Sequence, residues 1–70
     1  MTLHQLRRER LEKGWSQYHV SFLTGVPQVK ISYAERGYPA LSQKEKVKLS
    51  EFFGIPVEKL FTREENRSDT

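Results

Sequence analysis

Seventy residues make one small domain at most, and with no cysteine it must hold together without disulfides. An apolar share of 36% suffices for a globular core, while no run approaches the roughly 20 apolar residues of a membrane span and the N-terminus lacks the apolar core of a signal peptide; the composition predicts a soluble, cytoplasmic chain with no membrane partner. Net charge is +3, and leaving out the segment from Thr62 onward removes two of the 12 cations and three of the nine acids, so residues 1–61 carry ten against six, a balance of +4 that suits a polyanion without requiring one.

Helix 1 is predicted to open at Thr2, with Gln5 three residues on as the reciprocal partner of a capping box. Leu3, Leu6 and Leu11 form its apolar stripe, Arg8, Glu9, Glu12 and Lys13 its wet face, and Gly14 its left-handed stop. Trp15 follows as a core anchor, since a ring of that area is too valuable to leave in water in so small a domain. Ser16 caps helix 2, placed at residues 17–24; Gly25 makes the turn, Val26 points inward, and Pro27 takes the first position of helix 3, where no amide hydrogen is needed.

Helix 3 runs over residues 28–35 with Ile31 and Ala34 facing the core, and Gly37 stops it. Residues 38–41 form an irregular connection, and Ser42 with Glu45 reads as a capping box opening helix 4, which continues to Phe53 with Val47, Ser50 and Phe53 inward. Gly54 ends that helix, Pro56 starts a last short turn, and Val57, Leu60 and Phe61 close the core. The domain is therefore expected over residues 1–61, with a polar, disordered tail at 62–70.

Two short helices joined at Gly25-Val26-Pro27 read as a helix-turn-helix. In ordered spacing, Ser16-Gln17, Gly25-Val26, Ile31-Ser32 and Glu35-Arg36-Gly37 resemble the Cro/CI-type (XRE) helix-turn-helix domain of phage and bacterial repressors, and Gly54-Ile55-Pro56 with Glu58-Lys59-Leu60-Phe61 resembles that family's fifth helix. The resemblance covers roughly residues 2–61 and implies an all-α, compact five-helix lambda-repressor-like domain whose helix 3 enters the major groove of double-stranded DNA. It also implies a buried, structural ion pair between Arg10 and Glu35, at positions where lambdoid repressors join helices 1 and 3.

The residues support the same roles. Only the start and the outer face of a recognition helix reach base edges, which selects Gln28, Val29, Ser32 and Tyr33 as base contacts. Gln28 matches adenine bidentately and Val29 a thymine methyl. Lys30 and Arg36 are candidate phosphate ligands, and Gln17 stands at a helix N-terminus where the backbone dipole favours an anion, a contact the family resemblance also implies.

Two departures from the family pattern stand out. Pro27 replaces the usual Ser or Thr cap, and Phe22 and Leu23 occupy helix 2 positions that are generally polar. The first expectation for the pair Tyr18 and Phe22 is that their rings fold over small residues such as Ser21 or Ala34; the competing one is a protein-interaction patch. His4 and His19 stand 15 positions apart without ligand neighbours, and no glycine loop or nucleophile with a base is present, so no metal, cofactor or catalysis is expected. The expected function is a sequence-specific regulator, a repressor binding a partly palindromic site as a homodimer; the alternative is a partner-binding, antitoxin-like module of the same fold acting through Tyr18, Phe22 and Leu23.

Overall fold

A computed structural model describes residues 4–61 and is built from five helices: α1 (Gln5–Glu12), α2 (Gln17–Thr24), α3 (Gln28–Glu35), α4 (Gln43–Phe53) and α5 (Val57–Leu60). No strand occurs among the described residues, so the fold is all-α. Short helices leave a large share of their amides unpaired, and the side chains at the boundaries answer that need. The Ser16 hydroxyl accepts from the His19 amide at 3.0 Å, and Ser42 with Glu45 closes the expected capping box in both directions. Helix α1 is capped differently from expectation. Thr2 lies outside the described residues, and the cap is His4, whose Nδ1 accepts from the Leu6 amide at 3.2 Å. Gln5 is consequently the first helical residue, and its side-chain amide donates to Glu9 instead of back to a cap.

Pro27 also stands one place earlier than expected. Its ψ of 138° is extended, which makes it the N-cap of α3, and it supplies no side-chain cap. Between α2 and α3, Gly25 adopts φ 80°, and a Cβ there would meet nothing within 4 Å, so the turn asks for a left-handed backbone and not for space. Thr24 bridges this turn, donating its hydroxyl to the Val20 carbonyl at 2.7 Å and accepting from the Val26 amide at 3.3 Å.

The core consists of Leu6, Val20, Val26, Ile31, Ala34, Leu49, Phe53 and Leu60, drawn from all five helices and the turn. Trp15, Leu41, Phe52, Ile55 and Phe61 pack against it from its edge. Trp15 is partly buried, with its ring 4.9 Å from Phe52 and 5.7 Å from Phe53, which fits an anchoring role. Three expectations about helix faces fail, for one geometric reason. Leu11 is 48% exposed because five residues beyond Leu6 is a rotation of about 140°. Val47 is exposed and Leu49 is the core residue of α4: measured from Phe53, Leu49 lies about 40° away and Val47 about 120°. On α2, Val20 is fully buried, which sends Tyr18 and Phe22, two residues to either side, to the opposite face. Phe22 is 86% exposed and Tyr18 71%, so their rings do not fold over Ser21 or Ala34. Ser50 is half-buried and donates to the Ile55 carbonyl at 2.6 Å, fastening the end of α4 to the approach of α5.

The phase of α4 is open to a direct check. Leu49→Ala should cost about 2–5 kcal/mol in denaturant unfolding, whereas Val47→Ala should stay within about 0.5 kcal/mol; equal costs would show that the helix is rotated from the arrangement described.

Candidate nucleic-acid interface

Helix α3 divides cleanly between structure and surface. Ile31, Ala34 and Glu35 are buried on one side. Val29, Ser32, Tyr33 and Arg36 recur at intervals of three and four along the other, which is the spacing of a single helical face. Gln28 begins the helix, half-buried beside α2. The face has internal order: Arg36 Nη2 donates to Ser32 Oγ at 3.3 Å, the Arg36 guanidinium lies 5.6 Å from the centre of the Tyr33 ring, and Tyr38 packs edge-on to Tyr33 with centroids 5.9 Å apart. Tyr38 is thus a support of this face that reading residues one at a time did not select. The only available signal was its place just beyond Gly37, one and a half turns from Tyr33.

Behind the face lies the ion pair expected from the family resemblance. Arg10 Nε donates to Glu35 Oε2 at 2.7 Å and Nη2 to Oε1 at 3.0 Å, a two-pronged contact with the two side chains only 9% and 2% exposed. Arg10 Nη1 also donates to the Trp15 carbonyl at 2.8 Å, so the guanidinium ties α1, the α1–α2 connection and α3 together. The network continues outward. Gln17 Nε2 donates to Glu35 Oε1 at 3.0 Å, and Gln28 Nε2 donates to Gln17 Oε1 at 2.7 Å. The two glutamines are 11 residues apart in the chain and meet because each is the first residue of its helix.

Lys30 has a different neighbourhood from that of a free phosphate ligand. Its Nζ lies 3.1 and 3.3 Å from the two carboxylate oxygens of Glu45, joining α3 to the first turn of α4. A phosphate contact by Lys30 would exchange one ion pair for another. The Glu45 carboxyl is held below its ordinary pKa, first by the Ser42 amide and then by the Lys30 ammonium. Among the described residues no group of three His, Cys, Asp or Glu side chains could hold a metal ion, and no helix is long and apolar enough to cross a membrane.

A family model described as Helix-turn-helix matches residues 6–60, most of the chain. The chain belongs to the Cro/CI-type (XRE) helix-turn-helix family, and its five helices form a lambda-repressor-like domain of the kind that binds DNA in gene regulation. Comparison with curated proteins and with solved structures returned no significant match.

Removing one partner of a buried pair strands the other charge. Arg10→Ala should therefore cost about 3–5 kcal/mol, while the paired replacement Arg10→Met with Glu35→Leu should recover most of that loss. An unchanged melting temperature for Arg10→Ala would show that the charges are not buried. Glu45 makes a pH-dependent contribution of defined sign. Because its folded pKa is depressed, its stabilisation is complete above the unfolded value, about 4.3, and is lost as the pH falls from there through the folded value. Glu45→Gln should flatten the acid side of the stability profile, measured by thermal unfolding between pH 3 and 6, and a slope equal to that of the unmodified chain would count against the Lys30–Glu45–Ser42 arrangement.

Proposed function

We propose that the chain is a sequence-specific DNA-binding regulator, a repressor that acts in the cytoplasm as a homodimer on a partly palindromic duplex with half-sites about 34 Å apart. The observation that carries this reading is the outer stripe of α3, with Gln28 held at its start by hydrogen bonds reaching back to the core. Gln28, Val29, Ser32 and Tyr33 face base edges, and Gln28 with Val29 favours A·T pairs. Gln17 and Arg36 meet phosphates, with Lys30 joining them when it leaves Glu45. The absence of a side-chain cap at Pro27 leaves the N-terminal amides of α3 available to a phosphate.

Selection from random duplex DNA, followed by affinity measurement across salt concentration, tests this reading. Gln28→Ala should lose about 1–3 kcal/mol of discrimination at one base pair and leave the salt slope unchanged. Arg36→Ala should weaken all duplexes alike and lower the slope by about one. Equal affinity for selected and scrambled duplex at about 0.15 M salt would defeat sequence specificity, since the electrostatic contribution alone is sequence-independent.

A second reading is supported by the exposure of Phe22, Tyr18 and Leu23, the last at 51%. Apolar groups left in water on α2, with Tyr18 and Phe22 one turn apart and Leu23 beside Phe22, suit a protein partner, either a second copy or another chain. Replacing Phe22 and Leu23 together by Glu separates the two readings: self-association or partner capture should fail while the isolated domain still binds its duplex. Loss of DNA binding with association intact would reverse that assignment.

A further inference from the structure

We propose that Glu35, in addition to pairing with Arg10, is a positioning residue for base recognition: its buried carboxylate sets the direction of the Gln17 and Gln28 amides and so selects adenine over guanine. This rests on the reading that Gln28 meets a base edge.

A carboxylate only accepts hydrogen bonds. Glu35 is fixed in place because Arg10 holds both of its oxygens and is itself anchored on the Trp15 carbonyl. The Gln17 side chain that approaches Glu35 Oε1 at 3.0 Å must therefore present its NH2 end. Its carbonyl oxygen is then turned toward Gln28, 2.7 Å away, and Gln28 in turn has to donate. One fixed acceptor thereby orders two amides in series. Turning Gln28 over would set carbonyl oxygen against carbonyl oxygen at that short distance, and turning both glutamines over would set Gln17 Oε1 against the Glu35 carboxylate.

The ordered amide has a defined outward pattern. The two hydrogens on Gln28 Nε2 diverge; with the one that points away from the carbonyl spent on Gln17, the other is left beside Oε1. Donor and acceptor side by side complement adenine, which offers an N6 donor and an N7 acceptor in the major groove. Guanine offers two acceptors, O6 and N7, and would bring O6 against Gln28 Oε1. An unconstrained glutamine could rotate its amide to donate to either purine. The constraint from Glu35 removes that option, and the discrimination originates two hydrogen bonds away from the DNA.

The test compares Glu35→Gln, whose side-chain amide accepts or donates and no longer dictates a direction, with Gln17→Met, which cuts the chain but leaves the Arg10–Glu35 pair to hold the fold. The probe is the tightest duplex recovered from a random pool, with adenine replaced by guanine at the position where Gln28→Ala abolishes preference. The full chain should favour adenine by roughly tenfold or more, and both variants should bring the ratio to within about threefold of unity, whatever happens to overall affinity. In the DNA-free protein, the Gln28 side-chain NH2 should show protection from hydrogen exchange in NMR spectra that Gln17→Met removes. An unprotected Gln28 amide in the unmodified chain, or an adenine preference that survives in Gln17→Met, would overturn the positioning role. If Gln28→Ala alters no base preference while the amide is protected, the base-reading assignment of Gln28 fails instead, and the ordered network remains as a structural fact.

Discussion

The two-pronged Arg10–Glu35 pair is the constraint on which the arrangement of this domain depends. Burying both charges carries a desolvation cost that their mutual attraction need not exceed, so the pair is poor evidence for extra stability. Its value lies in geometry. A guanidinium is flat and forked, and here its nitrogens reach Glu35 on α3 and the carbonyl of Trp15. An apolar contact in the same place would tolerate sliding and rotation of α3 against α1; the directed hydrogen bonds restrict both. In a chain of 70 residues, with a core of only eight buried apolar side chains among those described, such restriction is worth having even at little net gain in stability.

Around this fixed point the local chemistry is largely self-organising. Ser16 and Ser42 cap α2 and α4, and the left-handed residues Gly25 and Gly54 follow the same two helices. These devices act over three or four residues, which is why the limits of α2 and α4 are legible in the sequence, while at α3, whose cap Pro27 supplies no side-chain bond, the start was read one residue early. The ion pair was also legible, though only through resemblance to a family in which the matching positions are joined. Burial was read less well. In a helix of only 11 residues a stripe chosen with the wrong phase looks nearly as regular as the right one, and Val47 against Leu49 in α4 is such a case. The aromatic residues of α2 misled for a related reason: the first expectation folds the Tyr18 and Phe22 rings over small residues such as Ser21 or Ala34, but Val20 fixes the rotation of the helix and Phe22 has to follow.

Contacts between distant residues were the least legible. Nothing in the spacing of Lys30 and Glu45 says that a lysine on α3 is held by the capping acid of the next helix. The Gln17–Gln28 contact has the same character, because it depends on how two helix starts converge in space. Both corrections bear on the interface. They convert side chains that look like independent surface groups into members of networks, with partners that any ligand must either keep or displace.

Under the proposed reading, that distinction accounts for discrimination by a face of modest charge. The outward residues of α3 include four uncharged side chains, Gln28, Val29, Ser32 and Tyr33, and Arg36 lies across Tyr33. Two further cations are committed within the fold, Arg10 to Glu35 and Lys30 to Glu45. Phosphate attraction supplies affinity without regard to sequence, so a face relying on it would bind broadly. A face built from amide, hydroxyl and methyl groups depends on orientation, because each contact counts only when donor meets acceptor or apolar surface meets a thymine methyl. Orientation of that kind has to be provided by the protein before DNA arrives, since ordering a loose side chain on binding subtracts from the small free energy that each contact returns. The chain from Trp15 through Arg10, Glu35 and Gln17 to Gln28 supplies that order from the buried ion pair to the residue proposed to use it.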